Sequence, residues 1–172
     1  MAFKANGTKE PFGGPVLRSQ IIANSAAVVE MDSMKAASGF VTINTAGVAV
    51  FGHAVAIATS KGVGQNTTGV AGAAIGSFVG AFTVPSDNQT VAKNKAVCDI
   101  SKQTQYSAEL DAAIGTTTGS NLLGYYIDIV DEDTLDEDTA ATSAAQYFIW
   151  GVDPLDATKA VVSIYESSVY GA

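Results

Sequence analysis

Leu122-Leu-Gly-Tyr-Tyr-Ile-Asp-Ile-Val130, Gln146-Tyr-Phe-Ile-Trp150 and Ala160-Val-Val-Ser-Ile-Tyr165 are three apolar runs rich in aromatic and β-branched residues. A Gly/Thr/Ser turn from Gly115 to Asn121 precedes the first, an acidic loop separates it from the second, and Asp153-Pro154 stands before the third. Runs of this length between polar punctuation read as consecutive strands of an antiparallel sheet. The stretch contains no histidine, no cysteine and no base beside a nucleophile. A scaffold is therefore legible here and a reaction is not.

Short apolar runs continue upstream, at Ala26 to Met31, Gly39 to Ile43 and Gly47 to Ala58. The last is β-branched and bounded by Gly47, which favours a buried strand bent at Gly52 over a helix. Met31-Asp-Ser-Met-Lys-Ala-Ala fits either one helical turn or a strand edge. Lys61 to Ala74, rich in Gly, Thr and Asn, reads as a long loop. Ser77 to Val84 and Thr90 to Ile100 read as an antiparallel pair joined across Pro85-Ser-Asp-Asn-Gln. Ser107 to Ile114 fits a short helix with Ser107 as its N-cap. The expected fold is all-β: an antiparallel sandwich or small barrel with an extended N-terminal arm and at most two short helices.

The 172 residues suit one domain with that arm. Gly7, Pro11, Gly13, Gly14 and Pro15 break regular structure in residues 1–20, the expected arm, and Phe3, Phe12, Val16 and Leu17 give it apolar anchors. Residues 21–172 form the expected single β-rich domain. Charged residues are only 15% of the chain, and the net charge is −8. That balance lacks the basic footprint phosphates require, so nucleic acid is not an expected partner. Lys4, Lys9 and Arg18 against Glu10 give the first twenty residues +2, leaving −10 for the remainder. Nothing resembles a signal peptide and no run approaches 18 apolar residues, so the expectation is cytoplasmic synthesis without a membrane span.

Few residues offer chemistry. His53, the sole histidine, lies in an apolar run and reads as a packed core or interface residue. Cys98, the sole cysteine, reads as a small buried hydrophobe, with Ala92, Asn94, Ala96, Cys98 and Ile100 sharing one strand face. Gly76-Ser-Phe-Val-Gly80 and Gly115-Thr-Thr-Thr-Gly-Ser120 match neither a nucleophile elbow nor a phosphate-binding loop. Asp128, Asp131, Glu132, Asp133, Asp136, Glu137 and Asp138 form the only candidate metal cluster. As a calcium loop it fails, with Asp136 where the turn glycine belongs and Thr142 in place of the bidentate glutamate. A solvated acidic loop is the expectation, with no metal and no cofactor. Of Tyr125, Tyr126, Tyr147, Phe148 and Trp150, alternation sends about half to the core. Trp150 is assigned to the core or to a subunit contact.

The broken N-terminal arm, the small-residue segment from Asn24 to Phe40, the Ala49-Val-Phe-Gly-His-Ala-Val-Ala56 run and the late Leu123-Gly-Tyr-Tyr strand together resemble head decoration (cement) proteins of tailed bacteriophages, over most of residues 15 to 168. The resemblance is one of layout and rests on no diagnostic motif. It implies a non-enzymatic virion protein on the capsid exterior, commonly a homotrimer, that reinforces contacts between subunits of the major capsid protein. Phe3, Lys4, Phe12, Leu17 and Arg18 are the expected capsid or neighbour contacts. Two other classes fit the residues: a carbohydrate- or surface-binding β-domain, which predicts a solvent-facing aromatic cluster, and a self-assembling capsid or tail building block.

Overall fold

The all-β expectation holds. The computed structural model describes residues 4–8, 15–59, 62–63, 81–92, 94–112, 122–140, 145–153 and 155–167. Its strands are β1 (Lys4–Thr8), β2 (Leu17–Ile21), β3 (Ala27–Val28), β4 (Ser33–Ala37), β5 (Phe40–Ile43), β6 (Val50–Thr59), β7 (Gly62–Val63), β8 (Phe82–Thr83), β9 (Lys95–Asp99), β10 (Thr104–Leu110), β11 (Tyr126–Ile127), β12 (Thr134–Leu135), β13 (Tyr147–Asp153) and β14 (Asp156–Ile164). Among the described residues the helical content is two single turns, α1 (Asn88–Val91) and a 3-10 turn at Glu137–Thr139.

Two larger sheets form. One, in the order β2-β9-β6-β4-β5 with β7 alongside β6, curls until its ends meet. Ile22 of the β2 end bridges Val41 of β5, and Ala23 N–H donates to Val41 O at 2.8 Å, so the sheet is a nearly closed barrel. Closure removes most of the open strand edge that would otherwise invite association. The other sheet runs β1-β10-β14-β13-β11, with β12 parallel to β10, and lies against the barrel wall. A two-strand pair, β3 with β8, adds Val28 and Phe82 to the barrel core.

Each layer has its own core. Ile22, Met34, Val41, Phe51, Ala54, Ile57, Ala96 and Cys98 fill the barrel. Tyr106, Ile127, Ile129, Leu135, Tyr147, Ile149, Val162 and Ile164 fill the space between the layers. Each of the larger aliphatic side chains contributes about 1.5–3 kcal/mol by leaving water. β6 serves both cores, with Phe51, Ala54 and Ile57 in the barrel and Val50 and Val55 toward the outer sheet. Register shifts on β6, one against β4 at Phe51 and one against β9 at Val55, rephase its alternation so that one strand can face two cores. Gly52 lies beside the first shift, where a Cβ would stand 2.5 Å from Asp99 O and 3.0 Å from Ile100 Cγ2. Only glycine fits there. The β4–β5 hairpin turns on Ser38 and Gly39, at φ 50° and 86°, the left-handed pair a type I′ turn requires.

Several local expectations are corrected. Ser107 to Ile114 is not a helix as far as it is described: Ser107–Leu110 belongs to β10, because Tyr106 and Ala108 are buried between β1 and β14 with period two and sheet packing overrides the cap signal. As far as they are described, Ser77 to Val84 and Thr90 to Ile100 do not pair with each other. Phe82–Thr83 pairs with Ala27–Val28, and Lys95–Asp99 pairs with both β2 and β6. Between them Asn88 ends the excursion. Its Nδ2 donates to Ile22 O and Asn94 O, while its Oδ1 accepts from the Asn94 backbone and side chain. Met31 to Ala37 resolves as a turn leading into β4. Segments expected to be arm also join the sheets, with Lys4–Thr8 paired to β10 and Leu17–Ile21 paired to β9. Gly115 to Asn121 and most of Lys61 to Ala74 lie outside the described residues.

Candidate interaction surface

The residues with chemical potential lie in the seam between the layers. His53, on β6, is fully buried with Nδ1 2.9 Å from Met31 O. A carbonyl cannot donate, so Nδ1 carries the proton and Nε2 is an acceptor. Nε2 lies 3.1 Å from the Tyr147 hydroxyl, which is 2.8 Å from Ser33 Oγ, which in turn accepts from Asn44 Nδ2 at 3.1 Å. The relay therefore runs from Asn44 through Ser33 and Tyr147 to His53. Burial lowers the His53 pKa to about 4, against opposing contributions from Met31 O and Asp99. Burial also pushes the Tyr147 hydroxyl up. The His53 ring packs against Tyr106 at 4.2 Å, tilted by 41°, and the Tyr106 hydroxyl donates to Asp99 Oδ2 at 3.0 Å. Asp99 also accepts from Thr104 Oγ1 and from Ser101 N. Ser33, His53 and Tyr147 are all closed to solvent, so this network binds layer to layer.

Cys98 is the buried small residue expected, inside the barrel with its thiol pushed up to about 12, chiefly by burial and then by Asp99. Its face agrees with the alternation from Asn94 on, with Asn94, Ala96, Cys98 and Ile100 buried, but Ala92 is exposed because it ends the α1 turn in a left-handed conformation and is not on the strand. Asp99, which the same alternation puts on the opposite face, is buried too, because the outer sheet covers that side of the barrel, where Thr104 and Tyr106 donate to its carboxylate.

Two carboxylates of the acidic loop cap its own turns, and a third ties it to Gln146. Asp131 accepts from Asp133 N, Asp136 from Asp138 N, and Asp128 from Gln146 N. Among the described residues no group of three or more His, Cys, Asp or Glu is arranged to hold a metal ion.

The outer face of the second sheet carries a row of rings. Trp150 meets Phe148 at 4.9 Å, Phe148 meets Tyr126 at 5.4 Å, and Tyr126 meets Tyr165 at 4.5 Å, each pair edge-to-face. Lys102 Nζ extends the row, 5.9 Å from the Tyr165 ring centre. Lys102 also lines a shallow hollow of about 320 Å³ with Val16, Ser101 and Gln103. Trp150 is thus not a core residue: it is 38% exposed and its Nε1 donates to Ser163 Oγ. Alternation along β13 does hold, since Tyr147 and Ile149 face inward.

Of the expected contact residues, Leu17 and Arg18 are exposed on β2, with Leu17 55% accessible next to the exposed Val16. Lys4 begins β1, opposite Ser107 of β10. Phe3 and Phe12 lie outside the described residues. The aromatic row was not among the expected contacts, although period-two reading of β13 already separates Phe148 and Trp150 from Tyr147 and Ile149. No family model, curated protein or solved structure matches this chain.

Proposed function

We propose that this chain is a virion structural protein that binds the outside of an assembled phage capsid as a homotrimer and stabilises contacts between major capsid subunits. The observation that carries this reading is the exposed Val16-Leu17-Arg18 segment, apolar surface beside a cation, with Leu17 and Arg18 on β2, which makes five consecutive pairings with β9, and Val16 O accepting from Ile100 N. A rigid strand presents such a patch without the ordering cost of a loose arm. Threefold attachment then multiplies modest single contacts. The low charge and the layout resemblance point the same way.

The test is co-sedimentation of the purified chain with expanded phage heads assembled without decoration protein. Because residues 4–8 and 17–21 are strands, deleting the N-terminus would remove parts of both sheets, so point variants are the cleaner probe. Leu17→Asp with Arg18→Glu should weaken head binding by at least about tenfold, the loss of roughly 1.4 kcal/mol. Full retention by that variant, or no binding by the wild type, sinks the reading.

The solvent-facing aromatic row favours a second reading, a carbohydrate- or surface-binding β-domain. Its rings meet at interplanar angles of 63–70°, so neighbouring edges cover ring faces a sugar would need. Titrating glycans against Trp150 fluorescence separates the two: saturable quenching favours the glycan module.

A further inference from the structure

The Val29–Asp32 turn is the place where barrel and acidic loop meet. Asp32 is 3% exposed, and its Oδ2 accepts from Val29 N at 2.6 Å while its own N–H donates to Val29 O. The turn is fixed to β6 by Met31 N to Ala54 O at 2.7 Å and Ala54 N to Asp32 O at 3.0 Å. On its other side Ser33 N donates to Glu132 O at 2.8 Å, which seats the Asp131–Asp133 segment against the turn. The buried Asp32 carboxyl therefore lies next to a segment that carries three more carboxyls, Asp131, Glu132 and Asp133, each of which acts to raise its pKa. From β6 the only titratable neighbour in this arrangement is His53, reached through Met31 O and held neutral by burial. Among the described residues the cluster of Asp32, Asp131, Glu132 and Asp133 has no ion pair with a lysine or arginine, whereas Lys159 pairs with Glu109 and Asp156.

We propose that the Val29–Asp32 turn and the Asp131–Asp133 segment form a proton-gated clasp between the barrel and the outer layer, closed while Asp32 is protonated and loosened when its proton passes to solvent. Neutral Asp32 lets the acidic segment sit on the turn. Ionised Asp32 adds a buried charge opposite three like charges, and the least costly relief is for the segment to lift and admit water. Burial first, and then those three neighbours, raise Asp32 to about 7, which sets the range in which the clasp responds. Asp133 is raised too, by burial and by Asp131 and Glu132.

Hydrogen exchange of the Ser33 amide in the full chain reads the clasp directly, since that amide is the donor to Glu132 O. With intrinsic exchange rates divided out, protection in the wild type should fall about tenfold or more between about pH 5 and about pH 8.5. Asp32→Asn, neutral at every pH, should hold protection constant over that range. A pH-independent wild type, or an equal fall in Asp32→Asn, overturns the proposal. If Asp32→Asn does not fold, Glu132→Gln with Asp133→Asn replaces it: removing two of the three opposing charges must shift the wild-type midpoint to lower pH. An unmoved midpoint overturns the proposal as well.

Discussion

The Tyr147 hydroxyl, on β13 of the outer sheet, lies 3.1 Å from His53 Nε2, on β6 of the barrel, and joins the two layers across a dry seam. Tyr147→Phe keeps the packing but removes the group that bonds both His53 and Ser33. The expected loss is about 1–3 kcal/mol, read as a lower urea midpoint with unchanged slope. A midpoint equal to the wild type would show that the relay contributes nothing to stability.

His53 makes the protein acid-sensitive. Its folded value, about 4, lies below the ordinary 6.5, so the unfolded chain binds the extra proton between those limits. Its contribution is complete above pH 6.5 and declines as pH falls toward 4, by about 1.4 kcal/mol per unit. Asp32 has the opposite sign: raised from 3.8 to about 7, it contributes fully below 3.8 and loses stability as pH rises through 7. The two partly cancel in the wild type. Urea midpoints against pH should therefore fall more steeply with acid in Asp32→Asn than in the wild type, and parallel curves would refute the assignment.

Gly52→Ala should destabilise by about 1–3 kcal/mol or more, since the contact at 2.5 Å is with backbone, Asp99 O, and cannot rotate away. The same substitution at Gly39, where φ is 86° but nothing lies within 4 Å, should cost about 1 kcal/mol from conformation alone. Thermal melts of the two variants give the comparison, and an equal pair of shifts would mean that the close approach of β6 to β9 is not as described.

Gln146 is a second fastener. Its Nε2 donates to Thr45 O and Val48 O, and its Oε1 accepts from Ile129 N. Gln146→Leu removes all three bonds at similar volume and should cost about 2–4 kcal/mol. Exchange of the Ile129 amide should rise in the variant, and unchanged exchange there would contradict the assigned bond.

Cys98 should react with a thiol reagent at less than about a thousandth of its rate in the urea-unfolded chain, given a thiol near 12 and no solvent access. Labelling at comparable rates in the two states would place it outside the barrel core.

Period-two patterning disclosed the strands that lie at the two-layer seam. Tyr147 and Ile149 against Phe148 and Trp150 could be read from β13 alone, as could Ala96 and Cys98 on β9. The Ser107 segment misled because a cap residue before Ala-Glu-Leu is a local helix signal, whereas Tyr106 and Ala108 are buried by strands distant in sequence. Asp99 misled for a related reason, since alternation assigns a face but not what covers it. Of the candidate surface, Leu17 and Arg18 were named from the sequence, while the row from Trp150 to Tyr165 needs three strands side by side before it exists.

The sequence by itself determined an all-β chain with a buried histidine and thiol, because strand periodicity and apolar context are local properties that survive without knowing any partner. Tertiary structure alone decided that β2 closes on β5, that Gly52 must lack a side chain, and that the Asp131–Asp133 segment is seated against the turn that buries Asp32. Each depends on pairings between residues far apart in the chain, and the physical cost of a wrong neighbour, a clash or a buried like charge, appears only when those residues meet.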